Sequence, residues 1–384
     1  MNSSILQQER IRTLDIIRGI AILGIFLVNI PDMLGNSAYH VHNWSGPDKY
    51  VRFFYDLFVQ TKFYTIFSFL FGLGFYIFMS RAEAKGLRYN VLFGKRIFFL
   101  FVFGVIHCVF LWRGDILHTY AMGGLFLLLF YRCEINTIKR WTITFFIIAH
   151  TFGLALMQYA SVIMDKFPQQ PHYFVDWTKW AQVRASELFG ERLLGELLLL
   201  PEILALFLFG FYIGKKSIFS NVENYRTTIR KWQLVSLAIG IVFSIPIING
   251  FLSNDIYVSK NYYAWILLSG KALAVFYVTT IMLAKAKWLR YFGYVGQMAL
   301  TNYMMHTLVG VVLLSGLLKQ TGNMSLMVQA GIVAFVYIVQ ICISKWWLSR
   351  YRFGPLEWLW RTGTYGKVQQ MKKRKGSRNI REAH

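Results

Sequence analysis

The chain has 384 residues, of which 56% are hydrophobic and only 15% are charged. A soluble domain carries about 25% charged residues, whereas here 34 Phe, 22 Tyr and 12 Trp take their place. This composition indicates a polytopic membrane protein and excludes a secreted domain, a cytosolic dinucleotide-binding enzyme and a disordered regulator. The net charge of +23 does not indicate nucleic-acid binding, because the basic residues are scattered between apolar segments.

Apolar runs of about 20 residues, the length that crosses a bilayer as a helix, occur ten times along the chain. Their ranges are 13–34, 57–80, 96–112, 115–131, 141–163, 193–214, 232–253, 262–284, 294–318 and 325–348. We therefore predict an all-α membrane bundle of about ten transmembrane helices, since lipid cannot satisfy a non-helical backbone. Polar residues interrupt the ninth run most: Gln297, Asn302 and His306.

The distribution of basic residues predicts the orientation of this bundle. Most of the 41 Lys and Arg residues lie in alternate connections, together with the two termini. The positive-inside rule then places both termini in the cytoplasm. Residues 1–12 form the predicted N-terminal segment, 13–350 the helical domain and 351–384 a basic tail that suits anionic lipid. External loops are predicted at 35–56 and 164–192, the second with a short amphipathic helix.

Ionisable residues inside apolar spans are costly in lipid and often mark ligand pathways. Asp15 and Arg18 share one helical face at the start of the first span, and Asn29 lies near its other end. One interpretation of Asp15 and Arg18 is a polar floor for a ligand that enters from the cytoplasm, and the alternative is a structural ion pair or an anchor whose charged group reaches the membrane surface. In the second span, Gly72 and Gly74 are predicted to allow close helix packing.

The third and fourth spans meet in a tight turn that carries a His–Asp pattern. Asp115 and His118 are three residues apart and share a helix face, so the carboxylate can orient the imidazole and raise its basicity. His107 precedes them inside the third span. The alternative is that Arg113 pairs with Asp115 and only caps the hairpin.

The remaining polar residues are predicted to complete a polar cavity that opens outward more than inward. Glu202 and Lys271 are polar residues within spans. Four further residues are candidates for binding substrate or donor: Trp44, Lys62, Asn302 and His306. A metal site is not predicted, because His40 and His42 are too close together for a helical ligand pair and no HEXXH or Cys/His pattern occurs.

Five strings occur in an order that resembles one family: RTLDIIRGIAILGIFLVNI, KFYTIFSFLFGLGF, GDILHTYAMGGLFLL, GQMALTNYMMHTLVG and RFGPLEWLWRTGTYGK. Together they closely resemble the YeiB-like family of bacterial membrane proteins, which is described as a domain of unknown function. The resemblance runs over nearly the whole chain, and the last string is its most specific part. It implies a multi-pass protein of the bacterial plasma membrane.

Two strings, LDIIRGIAILGIFLVN and the HNWSG of the following loop, are more distantly similar to heparan-α-glucosaminide N-acetyltransferase and the transmembrane acyltransferase superfamily. This similarity implies that an acyl group passes from cytoplasmic acyl-CoA to an external glycan or lipid-linked sugar. By this match His42 is the catalytic residue, with His40 as the competing candidate. Asp115 and His118, which the residue pattern itself indicates, complete the predicted catalytic set.

Two other functional classes stay open at this point. In a transporter or exporter of a small metabolite, His107, Lys271 and His306 near the middle of the membrane would serve a substrate or proton pathway. A structural or sensory membrane protein without turnover is the third class. The partners expected under the first hypothesis are membrane lipid, acyl-CoA, an external sugar or glycan and a second copy of the chain.

Overall fold

The computed structural model describes residues 12–34, 44–153, 177–253, 255–317 and 324–373. Within these ranges the chain forms α-helices, short 3₁₀ and π segments, and no β-strand beyond two isolated bridges. The helices are α1 (Arg12–Met33), α2 (Gly46–Phe58), α3 (Lys62–Ala84), α4 (Tyr89–Phe110), α5 (Leu117–Phe130), α6 (Ile135–Ile148), α7 (Trp177–Phe189), α8 (Glu191–Lys215), α9 (Arg226–Ser253), α10 (Tyr263–Leu283), α11 (Arg290–Gln297), α12 (Ala299–Thr307), α13 (Leu326–Arg350) and α14 (Pro355–Tyr365). The predicted all-α membrane bundle is confirmed.

Among the described residues, seven helices are long and apolar enough to cross a membrane, or eight if α11 and α12 together count as one span. The sequence predicted about ten. Two short or incomplete elements account for the difference. The predicted fourth span is α5, which has 14 residues and so falls short of the roughly 20 that a span needs. The predicted fifth span, 141–163, extends past Gly153 into residues outside the described ranges.

Helices α1 and α3 run in opposite directions, since Gly24 of α1 approaches Phe63 at the start of α3 and Gly74 of α3 approaches Arg18 near the start of α1. We call the end where α1 begins and α3 finishes the basic end, because the exposed Lys85 and Arg88 follow α3 there. The opposite end, where α1 finishes and α3 begins, is called the far end. The last helix, α14, lies at the basic end and packs against α4 and α12.

Helices α3 and α8 cross where each carries a glycine. A Cβ atom built on Gly72 would lie 1.8 Å from the carbonyl oxygen of Phe207, and one built on Gly210 would lie 1.9 Å from that of Phe69. No side chain fits at either position, so the prediction of close packing is confirmed for Gly72. Gly74 differs, because its built Cβ meets only Arg18 Nη2, at 3.8 Å. It borders an open cavity.

The predicted ninth span is bent, with α11 and α12 meeting at 73°. Met298 lies at the bend and has a non-helical backbone, with φ −116° and ψ 38°. The preceding turn packs tightly against α1, since a Cβ built on Gly296 would lie 1.8 Å from the carbonyl oxygen of Asp15. The bend therefore opens the N-terminus of α12 inside the bundle, where its first N–H groups need partners.

The predicted external loop 35–56 contains a helix, α2. Just before it, Trp44 pairs with Tyr257 through two backbone hydrogen bonds of 3.0 Å, and the Tyr257 hydroxyl donates to Asp56 over 2.9 Å. These contacts fasten α2 to the segment that precedes α10. At the basic end, Lys372 forms an isolated bridge with Tyr351, so the chain after α14 folds back on itself.

Candidate functional site

A cavity of about 870 Å³ occupies the centre of the bundle. Its lining extends from Gln60 and Gly114 near the far end to Lys85 and Arg361 at the basic end. Most of the wall between these ends is aromatic or aliphatic, and α1, α3, α12 and α14 contribute to it. The cavity wall is therefore mostly apolar, with polar groups at a few positions along it.

Three of the predicted binding residues line this cavity: Asp15, Arg18 and Asn29. Arg18 Nη1 lies 3.1 Å from Asp15 Oδ1, which is the predicted i, i+3 ion pair. The Asp15 side chain is buried, whereas the Arg18 side chain is 30% exposed. The structural ion pair is therefore present and forms part of the cavity wall, whereas a polar floor for a ligand stays a prediction.

Asp115 lies in the turn between α4 and α5 and is buried among hydrogen-bond donors. His107 Nδ1 lies 2.8 Å from Asp115 Oδ1, and His118 Nδ1 lies 3.3 Å from Oδ2. The backbone N–H of Leu117 donates to Oδ2 over 2.8 Å. Burial raises the pKa of Asp115, but the hydrogen bonds from His107 and His118 outweigh it and hold this pKa below its ordinary value.

The chain of polar contacts continues on both sides of the two histidines. His118 Nε2 lies 2.6 Å from Glu196 Oε1, and Arg192 Nε donates to the same oxygen over 2.6 Å. His107 Nε2 lies 2.9 Å from the Thr307 hydroxyl. We call the whole set the Asp115 network: His107, Asp115, His118, Arg192, Glu196, Tyr303 and Thr307.

Tyr303 connects the Asp115 network to the cavity. Its hydroxyl donates to Asp115 Oδ1 over 3.1 Å, and its side chain lines the cavity together with Gly114, Ile116 and Leu117. The two histidines lie behind this wall. Tyr303 therefore lies between the cavity and the carboxylate of Asp115, to which its hydroxyl is hydrogen bonded.

A second buried polar group lies in the cavity wall between the two ends. Glu202 accepts a hydrogen bond from the Tyr64 hydroxyl and pairs with Lys271, while Lys271 Nζ donates to the Tyr64 oxygen. Tyr64 and Glu202 line the cavity. Glu202 and Lys271 lie in different predicted spans, and nothing in their spacing indicates that they meet or that Tyr64 joins them.

Helix α14, which contains the most specific family-like string, forms part of the basic end of the cavity. Glu357 accepts hydrogen bonds from the N–H groups of Leu300 and Thr301 over 2.7 and 3.0 Å and from the Thr301 hydroxyl over 2.6 Å. This carboxylate caps α12 at the bend. Burial raises the pKa of Glu357 above its ordinary value, although these hydrogen bonds act in the opposite direction.

Four other predicted site residues bind neighbouring helices rather than lining the cavity. Trp44 makes the backbone bridge described above, and Lys62 Nζ donates to the carbonyl oxygen of Asp56 over 2.6 Å. Asn302 Nδ2 donates to the Ser344 hydroxyl over 3.1 Å, and His306 Nε2 lies 3.1 Å from Gln340 Oε1; these are contacts between α12 and α13.

Arg113, another predicted site residue, lies at the far end. Arg113 Nη2 lies 3.8 Å from Asp32 Oδ1, and Trp112 Nε1 donates to Asp32 Oδ2 over 2.9 Å, which ties α1 to the turn before α5. His40 and His42 fall outside the residues that the structure describes. The catalytic role of His42 therefore stays a prediction.

Comparison with known proteins matches this chain to one family model and to bacterial relatives that cover nearly its whole length. Residues 213–367 match a family model described as a protein of unknown function, DUF418. The Bacillus subtilis protein YxaH is 30% identical over 414 residues, covering 96% of this chain and 98% of that protein. An uncharacterized 39.9 kDa protein from the amylase 3′ region of Bacillus acidopullulyticus is 32% identical over 380 residues, covering 94% and 95%. Escherichia coli YeiB is 29% identical over 387 residues, covering 92% and 96%. No solved structure matches this chain.

Proposed function

This chain belongs to the YeiB-like family of membrane proteins of unknown function, and we propose that it transfers an acyl group across the membrane. The donor is a CoA-type thioester that enters at the basic end, and the acceptor is a sugar hydroxyl or amine that arrives from the far end. One observation carries the proposal: a single cavity touches cations at the basic end and, through Tyr303, the Asp115 network. The basic end then faces the cytoplasm, as the positive-inside rule favours.

In the proposed reaction the acceptor oxygen or nitrogen attacks the carbonyl carbon of the thioester. A new C–O or C–N bond forms, the C–S bond breaks, and the sulfur leaves as a thiolate. The acceptor loses one proton and the thiolate gains one, so the balanced products are the acylated acceptor and a free thiol. A protein group that takes up the proton and returns it is typically worth about 10²–10⁴ in rate.

Tyr303 and Asp115 can move that proton. The Tyr303 oxygen takes the proton of the acceptor while its own proton passes to Asp115, to which it is already hydrogen bonded. The carboxylate begins ionised, because the histidines hold its pKa low. The Asp115 carboxyl group then holds the proton beside the Nδ1 atoms of His107 and His118, and the proton returns through Tyr303 to the sulfur as the thiolate leaves. In this mechanism Tyr303 touches substrate, and the buried groups act through it.

Transfer into proteoliposomes tests the proposal. Purified protein is reconstituted, [¹⁴C]acetyl-CoA is supplied on one side and a mixture of glucosamine and glucose on the other, and labelled sugar is counted. We expect transfer by the unmodified chain and a loss of at least about 100-fold in Tyr303→Phe. Tyr277→Phe is the matched control, because its hydroxyl donates to the Phe58 carbonyl away from the cavity. Equal transfer by the two variants would overturn the role of Tyr303, and a chain that neither binds acetyl-CoA nor transfers the label would overturn acyl transfer.

One observation favours a second candidate, a transporter. A bent span that opens a helix N-terminus inside the bundle is typical of transporter binding sites, and α11 and α12 form such a bend of 73°. The ion pair of Glu202 and Lys271 in the cavity wall also fits an intramembrane substrate or proton pathway. The same proteoliposomes separate the two functions: a labelled compound that crosses chemically unchanged supports transport.

A further inference from the structure

The basic end of the cavity collects positive charge. The basic residues in its lining outnumber the acidic ones there, and they come from α1, from α3 and the turn after it, from α4 and from α14: Arg18, Arg81, Lys85, Arg96 and Arg361. The acidic residues at this end are Asp15, which pairs with Arg18, and Glu357, which caps α12. Because cations in a partly dry cavity repel one another strongly, a bound anion would stabilise this arrangement.

Three of these cations converge although they belong to distant parts of the chain. Arg18, Arg96 and Arg361 all line the basic end of the cavity. Arg18 comes from α1, Arg96 from α4 and Arg361 from α14. Such a meeting is a property of the tertiary fold, which brings three guanidinium groups to one end of the cavity at an electrostatic cost.

Aromatic rings hold two of these guanidinium groups in place. The guanidinium carbon of Arg96 lies 3.6 Å from the ring centre of Trp360, and that of Arg361 lies 4.5 Å from the ring centre of Phe353. A ring against the flat face of a guanidinium fixes the plane of that group, and a planar guanidinium can bind a phosphate or carboxylate through two hydrogen bonds at its edge. Trp360 also donates to the Arg96 carbonyl over 2.8 Å, which fixes α14 to α4.

Space for a ligand lies next to the third guanidinium. Gly74 on α3 has no side chain to fill the region beside Arg18 Nη2. Gly72, two residues earlier, is packed against α8 and leaves no such space. The cavity is therefore open beside Arg18 at Gly74, and a bulky side chain at position 74 would fill that space without changing any charge.

We propose that Arg18, Arg96 and Arg361 form a binding site for a soluble ligand that carries at least two phosphoryl groups. Three arginines are more than one phosphoryl group needs, since each such group carries about −1.5 to −2 charge. The inference rests on the proposed function for one point, that this ligand is the acyl donor. The phosphate of an anionic lipid has the same chemistry, and the experiment distinguishes it from a soluble bisphosphate.

The test measures binding of adenosine 3′,5′-bisphosphate to full-length protein in nanodiscs made only of zwitterionic phosphatidylcholine, by isothermal titration calorimetry. We expect binding by the unmodified chain and an affinity lower by about 10- to 100-fold in Arg96→Gln and in Arg361→Gln, the loss typical of a hydrogen bond to a charged group. Gly74→Leu should weaken binding although all arginines remain. Gly94→Leu is the matched control, because a Cβ built on Gly94 meets nothing within 4 Å and Gly94 does not line the cavity.

The outcomes separate this site from the proposed function. Equal affinity in the unmodified chain, Arg96→Gln and Gly74→Leu would overturn the site, as would absence of bisphosphate binding. Phosphatidylglycerol nanodiscs that abolish bisphosphate binding at every bisphosphate concentration would assign the arginines to lipid and overturn the soluble ligand. Arginine-dependent binding without any acyl transfer would support the site and overturn the function. Acyl transfer that is unchanged in Arg96→Gln, Arg361→Gln and Gly74→Leu would support the proposed function and overturn the site.

Discussion

The two ends of the cavity handle buried charge in opposite ways. At the far end, Asp115 is surrounded by donors from α4, α5 and α12, so the protein itself supplies every partner the carboxylate needs. At the basic end, cations outnumber acids and face an open volume. A network that is complete within the protein contributes to folding and can hold a proton. An excess of positive charge beside a cavity is instead stabilised when an anionic ligand binds.

The largest expected effect breaks this comparison at the far end. Asp115→Asn removes the charge that two histidines and Tyr303 share, and loss of one partner from a buried ionic network typically costs about 3–5 kcal/mol. Thermal unfolding in detergent should show this loss, while Arg96→Gln should leave the melting temperature nearly unchanged because it removes one cation from a repelling group. A larger loss in Arg96→Gln than in Asp115→Asn would reverse our interpretation of the two ends.

An intermediate effect is expected from two glycines on α3. Gly72→Ala places a Cβ 1.8 Å from the Phe207 carbonyl oxygen, and such overpacking costs about 1–3 kcal/mol. Gly74→Ala meets only Arg18 Nη2, at 3.8 Å, and should stabilise the helix by up to about 1 kcal/mol through its lower backbone entropy. Unfolding midpoints of the two variants check this, and equal destabilisation would mean that the cavity does not reach Gly74.

The smallest expected effect is a pH dependence with opposite signs at the two ends. The pKa of Asp115 is lowered, so its contribution to stability is present above the ordinary Asp pKa of about 3.9 and is lost as the pH falls through the lowered value. The pKa of Glu357 is raised, so its contribution is full below about 4.3 and declines as the pH rises through the raised value.

Melting temperatures measured from acid to neutral pH test these signs. Asp115→Asn should flatten the acid side of the profile, and Glu357→Gln should flatten the decline on the neutral side. If both substitutions change the pH dependence of the melting temperature in the same direction, the pKa values of Asp115 and Glu357 are not shifted in opposite directions.

The sequence predicted what depends on local spacing. The long apolar runs, the Asp15–Arg18 pair and the approach of Asp115 to His118 all follow from helix geometry over three or four residues or over one span. The contacts that complete the site join distant segments: Tyr303 to Asp115, Glu196 to His118 and Glu357 to Thr301. Helical periodicity carries no information about which distant residue fills such a place.

One further signal was present but could not be interpreted from the sequence. The string around Glu357 is distinctive, yet a carboxylate after Gly-Pro-Leu is equally compatible with an exposed helix start. The bend between α11 and α12 explains the acidic residue at position 357. The bend leaves the first N–H groups of α12 without partners within the helix, and Glu357 accepts hydrogen bonds from them. Likewise, Gly74 is indistinguishable from Gly72 until the neighbouring helix is placed on one side of α3 only.

The short helix α12 also has a mechanical consequence. Its first turn is held by Glu357 of α14, whereas Tyr303 and Thr307 along the same helix hydrogen bond to the far-end residues Asp115 and His107. Seven residues of helix, about 10 Å long at 1.5 Å per residue, behave as a stiff rod between these attachments. A ligand that displaces α14 would therefore also move the Tyr303 hydroxyl, and the surrounding helices would not need to rearrange.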